Sequence, residues 1–279
     1  MKMSINGWKY YNHAMIPTGS PDEEVDTSSI ENGEIWRDSS GGVPLLARWT
    51  SDWECDHETD WWYIIRSGPY SIEQLSKSSR KHIKQAQKKC YIREIEDSEV
   101  QALYDCYVAA YSRYEKADNF ISFDAIKDGF LNRGHEAKIY YGAYELESNR
   151  LIGFFICSQH KNYLEINVSK FDPAYMNLRP SDALHHYVLS QWLSKPTIEY
   201  VNSGSRSINH VTNVQEYKIS TFGFHKAYCK LHVVYNPKIK WMIPLLYSMR
   251  KLLIKFDDLG VFHQVNAILK MEEIVRNQT

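Results

Sequence analysis

Hydrophobic and polar positions change period several times along the chain, and each change predicts an element. Leu75, Ser79, Ile83, Ala86 and Cys90 recur at helical spacing and form one stripe, so a helix with one buried side is expected there. Residues 100–113 repeat the pattern, with Leu103, Tyr104, Tyr107, Val108 and Tyr111 at core spacing, and 123–133 reads as a third helix. Period two follows. Residues 137–144 and 151–157 predict strands joined by the hairpin-like Glu145-Leu-Glu-Ser-Asn-Arg150. Tyr163-Leu-Glu-Ile-Asn-Val168 alternates, with Leu164, Ile166 and Val168 on one face and Tyr163, Glu165 and Asn167 on the other. A face carrying Tyr, Glu and Asn is either solvated or lines a cleft.

The next part of the chain has the densest succession of signals. Ser181 is the expected N-cap of a helix ending at Leu193. A short strand over 198–202 precedes a Gly/Ser-rich break over 203–207. Thr212 or Asn213 can cap a helix to about Thr221, which Gly223 stops by taking the left-handed C-cap conformation. A strand over 227–235 leaves from there. In this unit the two strand ends and the helix start can line one cleft. Pro237 ends the sheet, and two amphipathic helical segments follow, over 238–256 and 261–275.

The first 75 residues differ. They hold six of the eight tryptophans, among Gly, Pro, Ser and acidic residues. Residues 45–49 and 61–66 predict strands, 17–42 is mostly loop, and no helix of useful length is expected. The tryptophans either cover a sheet edge or build part of a substrate site. A division follows: a Trp-rich segment over 1–75, an α/β domain over 76–236, and a helical tail over 237–279.

Composition narrows the possible classes. The formal net charge of −1 argues against a protein that coats DNA or other nucleic acid. Five scattered cysteines with no Cys-x-x-Cys pair fit a reducing compartment, and no metal site is expected. The opening Met-Lys-Met-Ser-Ile-Asn-Gly has no apolar signal core, and a cytoplasmic location is the expectation. The 238–256 segment carries too many cations to span a bilayer. It either packs on the domain or lies on an anionic membrane surface as a peripheral contact.

Charge also marks one helix. Between Ser76 and Arg93 there are seven cations, Lys77, Arg80, Lys81, Lys84, Lys88, Lys89 and Arg93, and no acid. Arg80 and Lys84 are one turn apart and share a face. That face is either solvated or an anion site, since Arg offers forked donors and Lys a point charge to phosphate.

The helix Ala183-Leu-His-His-Tyr-Val-Leu-Ser-Gln-Trp-Leu193, then Tyr200-Val-Asn-Ser-Gly204, then Tyr217-Lys-Ile-Ser-Thr-Phe-Gly223, together resemble the closing half of a GNAT-fold acyltransferase. Within that fold they are most similar to Fem-type peptidoglycan-bridge aminoacyltransferases and related polysaccharide-cluster proteins. With the basic helix near residue 80, the resemblance spans about half the chain. It implies an α/β (α+β) fold with a mixed, mostly antiparallel central sheet flanked by helices. Three positions depart from the pattern. Lys218 stands one residue further from Gly223, about 100° around a helix. Ile219 replaces the tyrosine that many acetyltransferases carry four residues before this glycine. Arg179-Pro-Ser-Asp182 replaces the glycine-bearing loop that approaches the pyrophosphate of acetyl-CoA.

The resemblance implies transfer of an acetyl or aminoacyl group to an amine or hydroxyl of an amino sugar or glycan precursor. The donor is expected to be an acyl-CoA such as acetyl-CoA, or alternatively an aminoacyl-tRNA. Such chemistry needs a base for the nucleophile and donors for the oxyanion. Glu165 is the candidate base. Tyr217 or Lys218 would protonate the leaving group or steady the tetrahedral oxygen. Arg179 and Ser181, with Asn202, would hold the donor. Arg80 and Lys84 would hold phosphates of a nucleotide-linked or lipid-linked acceptor, and Arg206 would serve either. His185 and His186 are expected on the helix surface or packed, because adjacent rings on one helix diverge. Two other readings stand beside this one: a non-catalytic scaffold of the same fold in polysaccharide assembly, and a tRNA-dependent Fem-type enzyme.

Overall fold

The computed structural model describes residues 7–37, 42–112, 120–208, 213–257 and 259–278. In chain order the elements begin with strands β1 (Trp8–Tyr11) and β2 (Ala14–Pro17), the short helix α1 (Ser28–Glu31), and strands β3 (Leu46–Ser51) and β4 (Trp61–Ser67). Helix α2 (Lys77–Gln87), strand β5 (Cys90–Glu94) and helices α3 (Val100–Tyr111) and α4 (Phe123–Leu131) follow. Then come β6 (Lys138–Glu145), β7 (Leu151–Gln159), β8 (Tyr163–Phe171), α5 (Pro180–Trp192), β9 (Tyr200–Ser205), α6 (Val214–Phe222) and β10 (His225–Tyr235). The chain closes with α7 (Pro237–Lys240), α8 (Met242–Ser248), α9 (Arg250–Leu253) and α10 (Gly260–Asn277).

These elements form two compact units. One comprises Met1–Tyr63, Ser205–Thr212 and Lys226–Thr279, with strand order β1-β2-β3-β10. Trp8, Met15, Ile35 and Ala47 make one core cluster there. Leu46, Trp61, Leu231, Ile243, Met271 and Ile274 belong to a second. Trp8 and Trp61 are thus core residues, while Trp49 stacks on His232 at 4.9 Å. The β1–β2 hairpin was not expected from the sequence. Asn12 and His13, both at positive φ, make its two-residue turn.

The other unit comprises Ile64–Gly204 and Asn213–His225, with strand order β9-β8-β7-β6-β5. Pairing is antiparallel from β5 to β8 and parallel between β8 and β9. The sheet is therefore mixed and mostly antiparallel. Helix α3 packs on one face through Leu103, Cys106 and Tyr107, against Phe154 and Tyr144. Helix α5 covers the opposite face, where its His185 meets Phe155 edge-on at 4.8 Å. Helix α2 packs on α5 and buries Ser79, Ile83 and Ala86. Ser76 caps it by accepting from the Ser79 amide.

Several expectations change here. The stripe through Leu75 and Cys90 is buried as predicted, but α2 stops at Gln87 and Cys90 opens a strand. Arg93 therefore leaves the basic helix and forms a forked pair with Glu99 at 2.6 and 2.8 Å. Val108 lies at the edge of the α3 stripe and is exposed. The alternation in β8 breaks at a bulge: Cys157 pairs with Ile166 but Ile156 pairs with Val168. Val168 consequently turns to the α3 face, opposite Leu164 and Ile166. The expected break at 203–207 starts later, because β9 runs to Ser205. The basic segment 238–256 is three short helices and a turn, not one helix. Arg113 and Thr212 lie outside the described residues.

Candidate active site

The site is set by where two parallel strands part. The β8–β9 ladder joins only Tyr163 to Tyr200, Leu164 to Val201 and Glu165 to Asn202. Beyond it β8 stays paired with β7 as far as Phe171, while β9 turns away. The turn has a local cause. Asn202, buried, accepts the Gly204 amide on its Oδ1 at 2.9 Å, and Gly204 sits at φ +94, a conformation that favours glycine. Asn202 thus shapes the strand end.

Partner residues in a ladder point to the same face, so Glu165 and Asn202 share one. The rings of His160, Tyr163 and Tyr200 stack on that face, at 4.2 and 4.9 Å. Glu165 Oε2 lies 3.6 Å from His160 Nε2, and both side chains are about a quarter exposed (28% and 25%). By the bulge argument this is the face away from α5.

Ser203, one residue past the ladder, points to the α5 side. There its Oγ accepts from Lys218 Nζ at 2.5 Å. Lys218 is carried by α6, which ends as the sequence predicts, with Gly223 at φ +71. Asn213 precedes α6 but makes no side-chain cap. Lys218 is 7% exposed, and among the described residues no carboxylate pairs with it. Burial alone lowers its pKa to about 8.

Two further groups of this region belong to α5. His185 Nδ1 lies 2.8 Å from the Ser181 carbonyl oxygen, which only accepts, so Nδ1 carries the proton. Its Nε2 is buried and has no hydrogen-bond partner among the described residues. Burial, and then the neighbouring Lys218 charge, lower the His185 pKa to about 3, so the ring is neutral. It stacks on Phe222 at 4.7 Å. Both histidines of this helix are packed, as expected: His186 accepts or donates a 3.0 Å bond with Tyr70.

The start of α5 differs from the expected one. Pro180 is its first residue, because proline is preorganised for that position, and Arg179 at φ +62 takes the cap place predicted for Ser181. Asp182 in the first turn is 4% exposed. It accepts from the Tyr217 hydroxyl at 2.9 Å and lies 3.5 Å from Arg179. Tyr217 also reaches Ser181 Oγ at 3.4 Å. Burial and Asp182 raise the Tyr217 pKa, so the phenol stays protonated. The anion-favouring helix end is thus filled by the chain's own carboxylate.

The structure therefore brings Arg179, Ser181, Tyr217 and Lys218 together on one side, with Asn202 and Glu165 at the last rung of the ladder. Arg80 and Lys84 lie on the exposed face of α2, in a shallow depression shared with Lys77, Lys81 and Lys88. Arg80 donates to the Glu73 carbonyl at 3.1 Å. Arg206 belongs to the other unit, where it binds Asp60 and lies over the Trp62 ring at 4.8 Å. Sequence reasoning missed Asp182, Ser203 and the buried Nε2 of His185. Only the coincidence of Asp182 with a helix start signalled any of them. Among the described residues no three His, Cys, Asp or Glu side chains gather as a metal site.

No protein-family model matches the chain, and no curated protein matches it. Solved structures do. The chain is similar to FemX, with a TM-score of 0.55 at 7% identity over 85% of each chain. It is also similar to the C-terminal domain of a putative lysylphosphatidylglycerol synthetase from Agrobacterium fabrum, with a TM-score of 0.50 at 11% identity, over 87% of this chain and 84% of that one. These likenesses show the fold, which is GNAT-like.

Proposed function

We propose that the chain is an acyltransferase that moves an acetyl or aminoacyl group to an amine or hydroxyl. The observation that carries this reading is Lys218, a buried ammonium with no carboxylate partner among the described residues, held by Ser203 where β8 and β9 part. An unpaired buried cation is costly, and a pKa of about 8 suits a proton donor near neutrality. When the acceptor attacks the acyl carbon, negative charge grows on the carbonyl oxygen and then on the leaving atom. Lys218 would offset that charge and supply the leaving atom's proton. Glu165, on the other face of the last rung, would take the proton of the attacking amine.

An amino sugar or glycan precursor is the proposed acceptor class, and it rests on the Fem-type resemblance. The donor choice leans on Asp182. A diphosphate at the start of α5 would meet that carboxylate, which counts against an acyl-CoA seated at this helix end. The same residue favours a second reading, a scaffold of this fold that has lost its donor site.

The test is thermal unfolding with acetyl-CoA, longer acyl-CoAs, aminoacyl-tRNA and UDP-sugars, followed by transfer assays. A ligand at about 100 times its dissociation constant adds about 2.7 kcal/mol to native stability. A donor that shifts the transition, and whose acyl group is transferred by the wild type but not by Lys218→Met, supports the transferase. Silence from every donor leaves the scaffold.

A further inference from the structure

Among the described residues, the segment from α7 to α9 carries both buried and exposed apolar side chains. Ile243 and Leu253 are buried, and Ile243 shares a core cluster with Met271 and Ile274 of α10. Met242 and Leu245 of α8, Met249 between α8 and α9, Leu252 of α9 and Phe256 in the turn after it are apolar as well. All five are exposed, from 36% for Met242 to 58% for Leu245. Trp241, just before them, is 71% exposed. Isolated exposed apolar residues are ordinary, but six large ones within residues 241–256 mark a contact surface.

The charge around these residues selects the occupant. Residues 237–256 hold Lys238, Lys240, Arg250, Lys251 and Lys255 and no acid, in a chain of net charge −1. Arg250 pairs with Glu273 of α10 at 3.5 Å. The four lysines are exposed and make no ion pair among the described residues. Lys251 and Lys255 are one turn apart. Aliphatic lysine stems can lie along apolar side chains while the ammonium heads reach outward. Exposed Leu, Met and Phe interspersed with lysines, and preceded by an exposed tryptophan, match the layered chemistry of a bilayer interface: acyl chains below, anionic headgroups above. No helix among the described residues is long and apolar enough to cross a membrane, so the contact would lie in the surface plane.

We infer that α7 to α9 form a docking surface for an anionic lipid bilayer. The inference stands apart from the proposed chemistry, since it uses none of the same residues.

The full chain is mixed with vesicles of phosphatidylcholine alone, or of phosphatidylcholine with phosphatidylglycerol, and the bound fraction is read by co-sedimentation at several salt concentrations. Binding is expected to the mixed vesicles, weakly or not at all to the neutral ones, and to fall as salt rises. Leu245→Glu with Leu252→Glu, and separately Lys251→Gln with Lys255→Gln, should each lower the partition by about tenfold or more. Should the first variant lose its thermal transition, the lysine variant carries the test alone. A wild type that ignores the mixed vesicles at low salt overturns the inference, as does binding that both variants retain in full. Self-association that Leu245→Glu removes, without vesicle binding, would assign the surface to a second copy of the chain and overturn it equally.

Discussion

Lys218 Nζ donates to Ser203 Oγ across 2.5 Å, one residue beyond the last paired position of β9. The bond ties α6 to the strand end at the point where β8 and β9 separate. Among the described residues, a hydroxyl and no carboxylate holds this buried cation.

That cation has a measurable cost. Its pKa falls from the ordinary 10.5 to about 8, and each unit corresponds to about 1.4 kcal/mol, so up to about 3.5 kcal/mol is lost while the group stays charged. Lys218→Met should therefore be as stable as the wild type or more so near pH 7, and inactive. Between about pH 8 and 10.5 the folded chain releases this proton while the unfolded chain keeps it. Wild-type stability should rise with pH there relative to the variant. Urea titrations of both proteins at several pH values read the difference. A destabilised but active variant would make Lys218 structural.

Glu165→Gln should keep its ladder position, since the amide matches the carboxylate in shape. Turnover is expected to fall by about 100-fold or more, with donor binding intact. Unchanged turnover in a steady-state assay would remove Glu165 from the chemistry.

His185 predicts acid sensitivity. Its folded pKa of about 3 lies below the ordinary 6.5, so as pH falls between these values the unfolded state takes up a proton that the folded state refuses. Stability is lost in that window, by about 2–3 kcal/mol between pH about 6.5 and about 4.5. His185→Phe keeps the stacking on Phe222 and should flatten this limb of the stability curve, measured by denaturant unfolding.

Gly223→Ala should cost about 1 kcal/mol, because alanine is strained at φ +71. Calorimetry checks the stability. Since α6 carries Tyr217 and Lys218, transfer activity should fall with it.

On α2, Arg80→Gln with Lys84→Gln should leave stability within about 0.5 kcal/mol, since these side chains are on the solvent side of the helix. The pair should weaken binding of phosphate-bearing ligands, read by the salt dependence of tRNA or nucleotide-sugar affinity. Unaltered affinity would return this face to plain solvation.

Periodicity alone placed most elements within a few residues: the α2 stripe, the β6–β7 hairpin, the end of α6 at Gly223 and the strand after it. These are local matters. A period of 3.6 or 2 and a glycine at a helix end express backbone preferences that act over one or two turns. Tyr217 and Lys218 were also legible as candidates, from the run before Gly223. What they touch was not. Whether Lys218 is buried depends on what α5, α6 and β9 cover together. The face on which Glu165 stands depends on its pairing with Asn202, and that of Val168 on a bulge one rung further along. Arg206 and Arg93 looked available in the chain and are held by Asp60 and Glu99. The start of α5 was filled by Asp182, which only the approach of Tyr217 and Arg179 makes tolerable in the interior. Burial, register and ion pairing join residues far apart in the chain, and a pattern read within one segment carries no information about its partners.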